Sequence, residues 1–291
     1  MDKTIELNNV TKAYKNETVL DDLSLSVEKG CCYGFLGRNG SGKTTTIKII
    51  MGLIRHDQGR VMLLDQDPWN IPKKVKERVG YVSEKQILPE FLRVKDLTSF
   101  SEKLYRKWNQ PRVNDLLERF NIPNHKKIMT LSLGMKKFLA LVLALGQDPE
   151  LLVLDEPTLG LDPIARQEFI DNVMDLLLEE ERTVFFSSHI LSDVEKIADK
   201  IGILKKGRIF LEMNLDDMKK SFKQIQVDFR ENPRETFDLP NIVSTKKIGK
   251  TVILTIKDFE ESYIQRIQKH CNAEVKVLDM NFEQIFIELA K

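Results

Sequence analysis

The residues GRNGSGKT at 37–44 have the types and spacing to hold phosphate. They fit G-x-x-x-x-G-K-[ST], between a short apolar run and a stretch with helical spacing, which is the context that pattern needs. Gly37, Gly40 and Gly42 let the backbone bend until successive N–H groups converge on phosphate oxygens. Arg38, Asn39 and Ser41 fill the variable places of the loop and belong to the same candidate site. The helix that follows adds its positive N-terminal end. Lys43 then reaches the β- and γ-phosphates, and the Thr44 hydroxyl, with Thr45 next to it, lies where Mg²⁺ would be ligated.

A second pattern, LLVLDEP at 151–157, supplies acids. An apolar strand ending in Asp155 places a carboxylate where it can hold a hydrated Mg²⁺. Glu156, one residue on, can orient and deprotonate an attacking water. An apolar strand followed by two acids is common, so this pattern gains its meaning from the phosphate loop. A third stretch, LSLGMKK at 131–137, is by itself a helix start with Ser132 as a good N-cap.

These groups need a scaffold. The chain has 291 residues, 42% hydrophobic and 31% charged, which is enough apolar material for one large domain or two smaller ones. A net charge of +1 offers no basic face, so no nucleic-acid partner is expected. Of the three cysteines, Cys31 and Cys32 are adjacent and Cys271 is distant. That is neither a zinc spacing nor a disulfide framework, and it suits small buried residues in a reducing compartment. The N-terminal segment has no apolar core of a signal peptide. The longest apolar run, Phe138–Leu145, is far short of the roughly 18 residues of a membrane span. The chain is expected to be soluble and to reach a membrane only through a partner.

Leu23, Leu25 and Val27 alternate as a strand, and CCYGFL is an apolar run ahead of the glycine loop. TTTIKIIMGLI reads as a helix, and VGYV, LLVLD and TVFFSS as three further strands. KIGILKKGRIFLEM reads as a hairpin turning at Lys206–Gly207. Helical patterns between these strands predict an α/β domain with a mostly parallel sheet. From about 85 to 148 the spacing is helical with no strand, which predicts a helical subdomain. From about Leu215 the pattern changes. Ile225, Val227 and Phe229 alternate, as do Val252, Leu254 and Ile256, and EVKVLDM is a shorter strand. Phe259, Tyr263 and Ile267 are spaced along one helix face, and Phe282, Ile285, Phe286 and Leu289 along another. Residues 1–214 and 215–291 thus read as two domains, the second a small α+β unit. His270 and Cys271 give at most two metal ligands, too few for a structural zinc.

The order LSLGMKK, LLVLDEPTLGLDP, SSHILSDVEKIAD resembles the ATP-binding subunit of ABC transporters, and the likeness covers about residues 3–213. The resemblance implies a P-loop NTPase of ABC type: a mostly parallel core sheet, an antiparallel β subdomain and a helical subdomain, here followed by the C-terminal α+β unit. It implies ATP and Mg²⁺ as ligands and ATP hydrolysis as the activity. Ser132 and Gly134 match the serine and glycine that contact the γ-phosphate bound to the opposite subunit, so the helix start is also half of a clamp that works in a dimer. Tyr14 matches the aromatic that stacks on adenine, Asp162 the loop that links the two sites, and His189 the switch histidine near the γ-phosphate. The implied partners are a second ATP-binding subunit, in a homo- or heterodimer, and integral-membrane permease subunits, with the chain peripheral on the cytoplasmic face of the cell membrane.

Three places depart from the family pattern. Glu84 stands where a glutamine is usual, with Gln86 two residues on; its carboxylate would face Mg²⁺ directly or through water. Leu133 and Met135 replace glycine and glutamine in the signature, and Leu159 replaces serine. Glutamate at the first and S-x-G-M at the second resemble the ABC-2 exporter branch, which includes drug and peptide exporters and, among them, exporters of amphipathic or antimicrobial peptides. The alternatives are a non-transport ABC ATPase acting on ribosomes or nucleic acid, and an ATP-binding regulator without turnover. A single ATPase-like domain and a neutral charge disfavour the first, and Glu156 and His189 disfavour the second.

Overall fold

The computed structural model describes all residues except Met1, Asn16, Gln86, Glu181, 231–236, Asp238, Cys271, Asn272 and Lys291, with the backbone alone for 176–180, 269, 270 and 290. Gln86 and Cys271, both singled out above, therefore lie outside the described residues. The chain divides into two compact units, Met1–Glu212 and Met213–Lys291.

The described residues of the first unit form the strands β1 (Lys3–Tyr14), β2 (Glu17–Glu28), β3 (Cys32–Gly37), β4 (Gln58–Leu63), β5 (Val79–Val82), β6 (Leu151–Asp155), β7 (Thr183–Ser188), β8 (Lys200–Lys205) and β9 (Arg208–Asn214), the last ending just past the boundary. Its helices are α1 (Lys43–Ile50), α2 (Lys73–Lys76), α3 (Val94–Leu104), α4 (Gln110–Arg119), α5 (Leu133–Gly146), α6 (Pro163–Glu180) and α7 (Leu191–Ile197). β5, β6, β7, β3 and β8 pair side by side in that order, and all four pairings are parallel. Every residue of β3, β6 and β7 is buried. That is why their sequences are continuous apolar runs rather than alternating ones. β9 joins the edge through a tight turn in which Lys206 (φ 51°) and Gly207 (φ 76°) are both left-handed, the geometry a two-residue hairpin prefers.

β2, β1 and β4 form a separate antiparallel sheet. β1 and β2 are each 12 residues long, where the sequence marks only Leu23–Val27 as strand. Their pairing shifts register near Asn9 and Asp22, both at positive φ, and these irregularities break the alternation that a sequence reading relies on. Between β5 and β6 the chain is helical. α5 is buried on nearly all sides, and Phe138 at its centre stacks on Phe120 with ring centroids 4.6 Å apart.

The parallel register has a consequence for chemistry. The C-terminal ends of β3, β6 and β7 fall in one row, with Leu36 opposite Ser188 and Asp155 opposite Ser187. The loops leaving these strands carry residues 37–44, Glu156 and His189, so the sheet gathers them at one edge.

The second unit contains α8 (Leu215–Ser221), β10 (Phe222–Phe229), β11 (Ile242–Ile248), β12 (Thr251–Lys257), α9 (Ser262–His270), β13 (Ala273–Asp279) and α10 (Phe282–Ala290). Its sheet is antiparallel in the order β11-β12-β10-β13, with Ile225 opposite Leu254 and Val227 opposite Val252. Those residues, with Ile256, Tyr263 and Ile267, form its core. β11 has no counterpart in the sequence reading, because adjacent lysines in IVSTKKI hide the period. Phe259 also differs from expectation. The chain turns at Asp258 (φ 53°), the helix begins only at Ser262, and Phe259 packs edge-on to Tyr263 at 6.1 Å instead of sharing its helix face.

Candidate active site

The loop between β3 and α1 is built by close approach as much as by φ. Gly42 is left-handed (φ 112°), and a Cβ there would lie 2.6 Å from Leu20 Cδ2. Gly37 has ordinary backbone angles, but a Cβ there would come within 2.4 Å of Ser41 Oγ, so what it supplies is space. No side chain caps α1, which leaves its first-turn N–H groups free to meet an anion.

Lys43 is buried. Its Nζ donates to the Gly37 carbonyl at 2.7 Å and lies 3.0 Å from Glu156 Oε1, an ion-pair distance without the alignment of a hydrogen bond. The other Glu156 oxygen, Oε2, is 2.7 Å from His189 Nδ1. A carboxylate only accepts, so the imidazole donates from Nδ1. The Glu156 carboxylate is therefore held between two nitrogens. Its backbone is unusual too: Glu156 has φ 47°, and its N–H donates to both the carbonyl (3.2 Å) and the hydroxyl (3.0 Å) of Ser187. Left-handed backbone at a residue other than glycine costs about 1–3 kcal/mol and persists where surrounding contacts enforce it.

Asp155 is buried beside it. Its Oδ1 accepts from Ser187 Oγ at 2.8 Å and from Thr44 Oγ1 at 3.4 Å, while Oδ2 is enclosed and has no partner. Burial pushes its carboxyl above the ordinary aspartate range, and the charges of Glu84 and Glu156 add to the shift, while the hydroxyls of Ser187 and Thr44 oppose it. An unpartnered buried carboxylate oxygen next to a threonine hydroxyl has the donor set of a Mg²⁺ site. The residues present thus fit the cation.

Asn39, Gly40, Gly42, Lys43, Thr44 and Thr45 line one cleft with Glu84, Glu156 and Leu159. Asp155 joins it through Thr44, and His189 through Glu156. Gly37, Arg38 and Ser41 belong to the same loop without lining the cleft, and four residues singled out by sequence elsewhere in the chain stand apart from it. Tyr14 ends β1, 46% exposed, with Lys12 Nζ 5.4 Å from its ring centroid. Ser132 caps α5 by accepting from the Met135 N–H at 3.2 Å. A Cβ at Gly134 would meet Leu161, Ala165 and the Ser132 hydroxyl in ordinary contact, at 3.7, 3.8 and 3.9 Å. Asp162 caps α6, with Oδ1 accepting from the N–H groups of Ile164 and Ala165, both at 3.0 Å.

The sequence reading misses three residues that shape this site. Ser187 bridges both acids, and its signal is a hydroxyl at the end of an apolar strand, one place before the serine–histidine pair. Thr158 donates to Asp193 at 2.7 Å, which ties the loop after Glu156 to α7. Lys137 is the third, and nothing in its spacing separates it from an ordinary helix lysine.

A family model described as ABC transporter matches residues 20–159. The ABC transporter ATP-binding protein YtrB of Bacillus subtilis is 33% identical over 288 residues, covering 97% of each chain. The bacitracin transport ATP-binding protein BcrA of Bacillus licheniformis is 35% identical over 76% of this chain and 72% of its own. Among solved structures, an ATP-binding subunit of an ABC transporter superposes with a TM-score of 0.68 at 27% identity, over 75% of this chain and 92% of that one. The chain belongs to the ATP-binding subunits of ABC transporters, and it is an ABC-type ATPase. No helix among the described residues is long and apolar enough to cross a membrane.

Proposed function

We propose that this chain hydrolyses ATP with Glu156 as general base and His189 as the group that orients it, in a dimer that drives a membrane permease. The observation that carries the reading is the single cluster of Lys43, Asp155, Glu156 and His189, with Glu156 held at 3.0 and 2.7 Å by its neighbours. The backbone N–H groups of residues 39–45 and the Lys43 ammonium hold the phosphates. Thr44, Asp155 and Glu84 would hold Mg²⁺, which when bound would offset negative charge on the phosphate oxygens. Glu156 takes the proton of the attacking water, and the His189 imidazole keeps the carboxylate aimed. Tyr14 stacks on the adenine. The second copy contributes Ser132 and Gly134 at the start of α5, and Asp162 joins the two sites.

The subunit works on the cytoplasmic face of the membrane. Phe91 (76% exposed) and Ile87 (94% exposed) form an apolar outer edge of the helical subdomain that suits a permease segment. Glu84, Met135 and the similarity to BcrA support an exporter of the ABC-2 branch, with drugs or amphipathic and antimicrobial peptides as cargo. The second unit, beginning near 213–215, holds no acid pair or phosphate loop and serves regulation or dimerisation.

Glu156→Gln tests the reading. ATP affinity should stay near wild type while turnover falls roughly 10²-fold or more. Wild-type turnover by this variant overturns the base assignment.

A further inference from the structure

Lys137 carries a charge into the interior without touching the phosphate loop. It lies in α5, five residues after the Ser132 cap, and is 5% exposed. Its Nζ donates to the Pro157 carbonyl at 2.9 Å and to the Glu156 carbonyl at 3.3 Å. Burial lowers the proton affinity of its amine, and the carboxylates of Glu84 and Glu156 work against that shift. Taking an ammonium out of water costs several kcal/mol, and a methionine of similar length would fill the same space without that penalty. Something at this position therefore requires a donor.

The geometry of Glu156 supplies the requirement. Glu156 follows the last residue of β6 in left-handed backbone, at the point where the ladder with β7 ends. The N–H on one side is fixed by Ser187, from β7. The carbonyl on the other side accepts from the Leu159 N–H at 3.2 Å within the turn and from Lys137, from α5, which also holds the next carbonyl, that of Pro157. With both peptide groups anchored, the Cα–Cβ direction is set, and the carboxylate reaches His189 and Lys43 together. An ammonium has three donors, so one lysine can hold two successive carbonyls of the turn at once.

We infer that Lys137 is a positioning residue for the hydrolytic step, holding the Glu156–Pro157 carbonyls so that the left-handed backbone presents the base in one orientation. The inference rests on Glu156 being the base. It goes beyond that reading in assigning the base's alignment to the helix that starts at Ser132. Displacing a reacting group by about 1 Å can lower a rate by up to 10²-fold, so loss of this anchor should appear in turnover and not in nucleotide binding.

The test is a double-mutant cycle in the full chain, with kcat, KM and the ATP dissociation constant measured for each member. Lys137→Met should lower kcat about 10-fold or more and leave the dissociation constant within about twofold, since the phosphate contacts are intact. Lys137→Gln keeps an N–H donor and should recover part of that loss. In a Glu156→Gln background, single-turnover rates should be the same with Lys137 or Met, because no base remains to be positioned. Equal fold losses in both backgrounds, or a Lys137→Met kcat within twofold of wild type, overturn the inference. If Lys137→Met does not fold, Lys137→Leu, which likewise removes the donor, is run through the same cycle and its outcomes read the same way. A Glu156→Gln variant that turns over normally would instead remove the base assignment, so the two failures are distinguishable.

Discussion

The two units of the chain solve the same folding problem with different interiors. Among the described residues, the first buries Lys43, Lys137, Asp155, Glu156, Arg182 and Asp193, while the only polar residue buried in the second is the hydroxyl-bearing Thr255. Charge in an interior opposes folding unless it is paired, and Lys43, Asp155 and Glu156 gather at the cleft, with Lys137 bonded to the backbone of Glu156. The first unit also places a glutamate in left-handed backbone at a strand end. The second has a sheet whose core is Ile225, Val227, Val252, Leu254 and Ile256. Among its described residues, this unit is held by apolar packing across one face of its sheet.

The largest effect expected from this contrast follows the loss of the buried cation in the first unit. Lys43→Ala should abolish ATP binding, because it takes away the ammonium at the phosphates and leaves Glu156 without its ion-pair partner. Titration calorimetry reads it directly, and unchanged affinity would mean that the loop is not the nucleotide site. In the second unit the matching substitution is apolar. Leu254 is fully buried, and Leu254→Ala should cost about 2–5 kcal/mol of that unit's stability. Nucleotide affinity should hold, while half-maximal ATPase activity should move to higher protein concentration if the unit brings two subunits together. A rate whose concentration dependence is unchanged would leave the second unit without a part in dimerisation.

A smaller effect is expected at the surface. Phe91→Glu replaces a side chain that is 76% exposed, so basal ATPase should change less than about twofold. A photocrosslinker at position 91 should capture the permease in membranes. Failure to capture any membrane protein would leave Phe91 as an ordinary exposed aromatic.

How far these sites could be read in advance depended on whether the responsible physics is local. The loop at 37–44 and the acid pair at 155–156 are legible because strand, turn and helix follow one another directly, and each residue type has one job at its place. The parallel sheet was legible because fully buried strands appear as unbroken apolar runs. β11 was not, because two lysines on an outer strand leave no alternation to see. Phe259 misled for a related reason: a spacing of four fits a helix, but a left-handed turn at Asp258 is invisible to periodicity. Lys137 and Ser187 were hidden because their roles arise from contacts 19 to 32 residues away along the chain.

The smallest predicted effect concerns the sign of a stability change. Burial raises the carboxyl pKa of Asp155 above its unfolded value. The folded chain then holds that proton more tightly than the unfolded chain does. Stability contributed by the protonated form is fully present below the ordinary aspartate value and is lost as pH rises through the folded one. At neutral pH Asp155 is thus a net burden on the fold, one that a bound cation relieves by occupying the unpartnered Oδ2. Asp155→Asn keeps an acceptor for Ser187 and Thr44 and carries no charge. Measured at pH 7 in the presence of a chelator, it should melt above wild type, and added Mg²⁺ with ATP should reverse the order by stabilising only wild type. Acidification should shrink the difference, because wild type regains its proton first in the folded state. A variant that melts below wild type at pH 7 without metal would show that the charge of Asp155 is already compensated by groups within the chain. The contrast between a charged interior kept for chemistry and an apolar one kept for shape would then fail at its central residue.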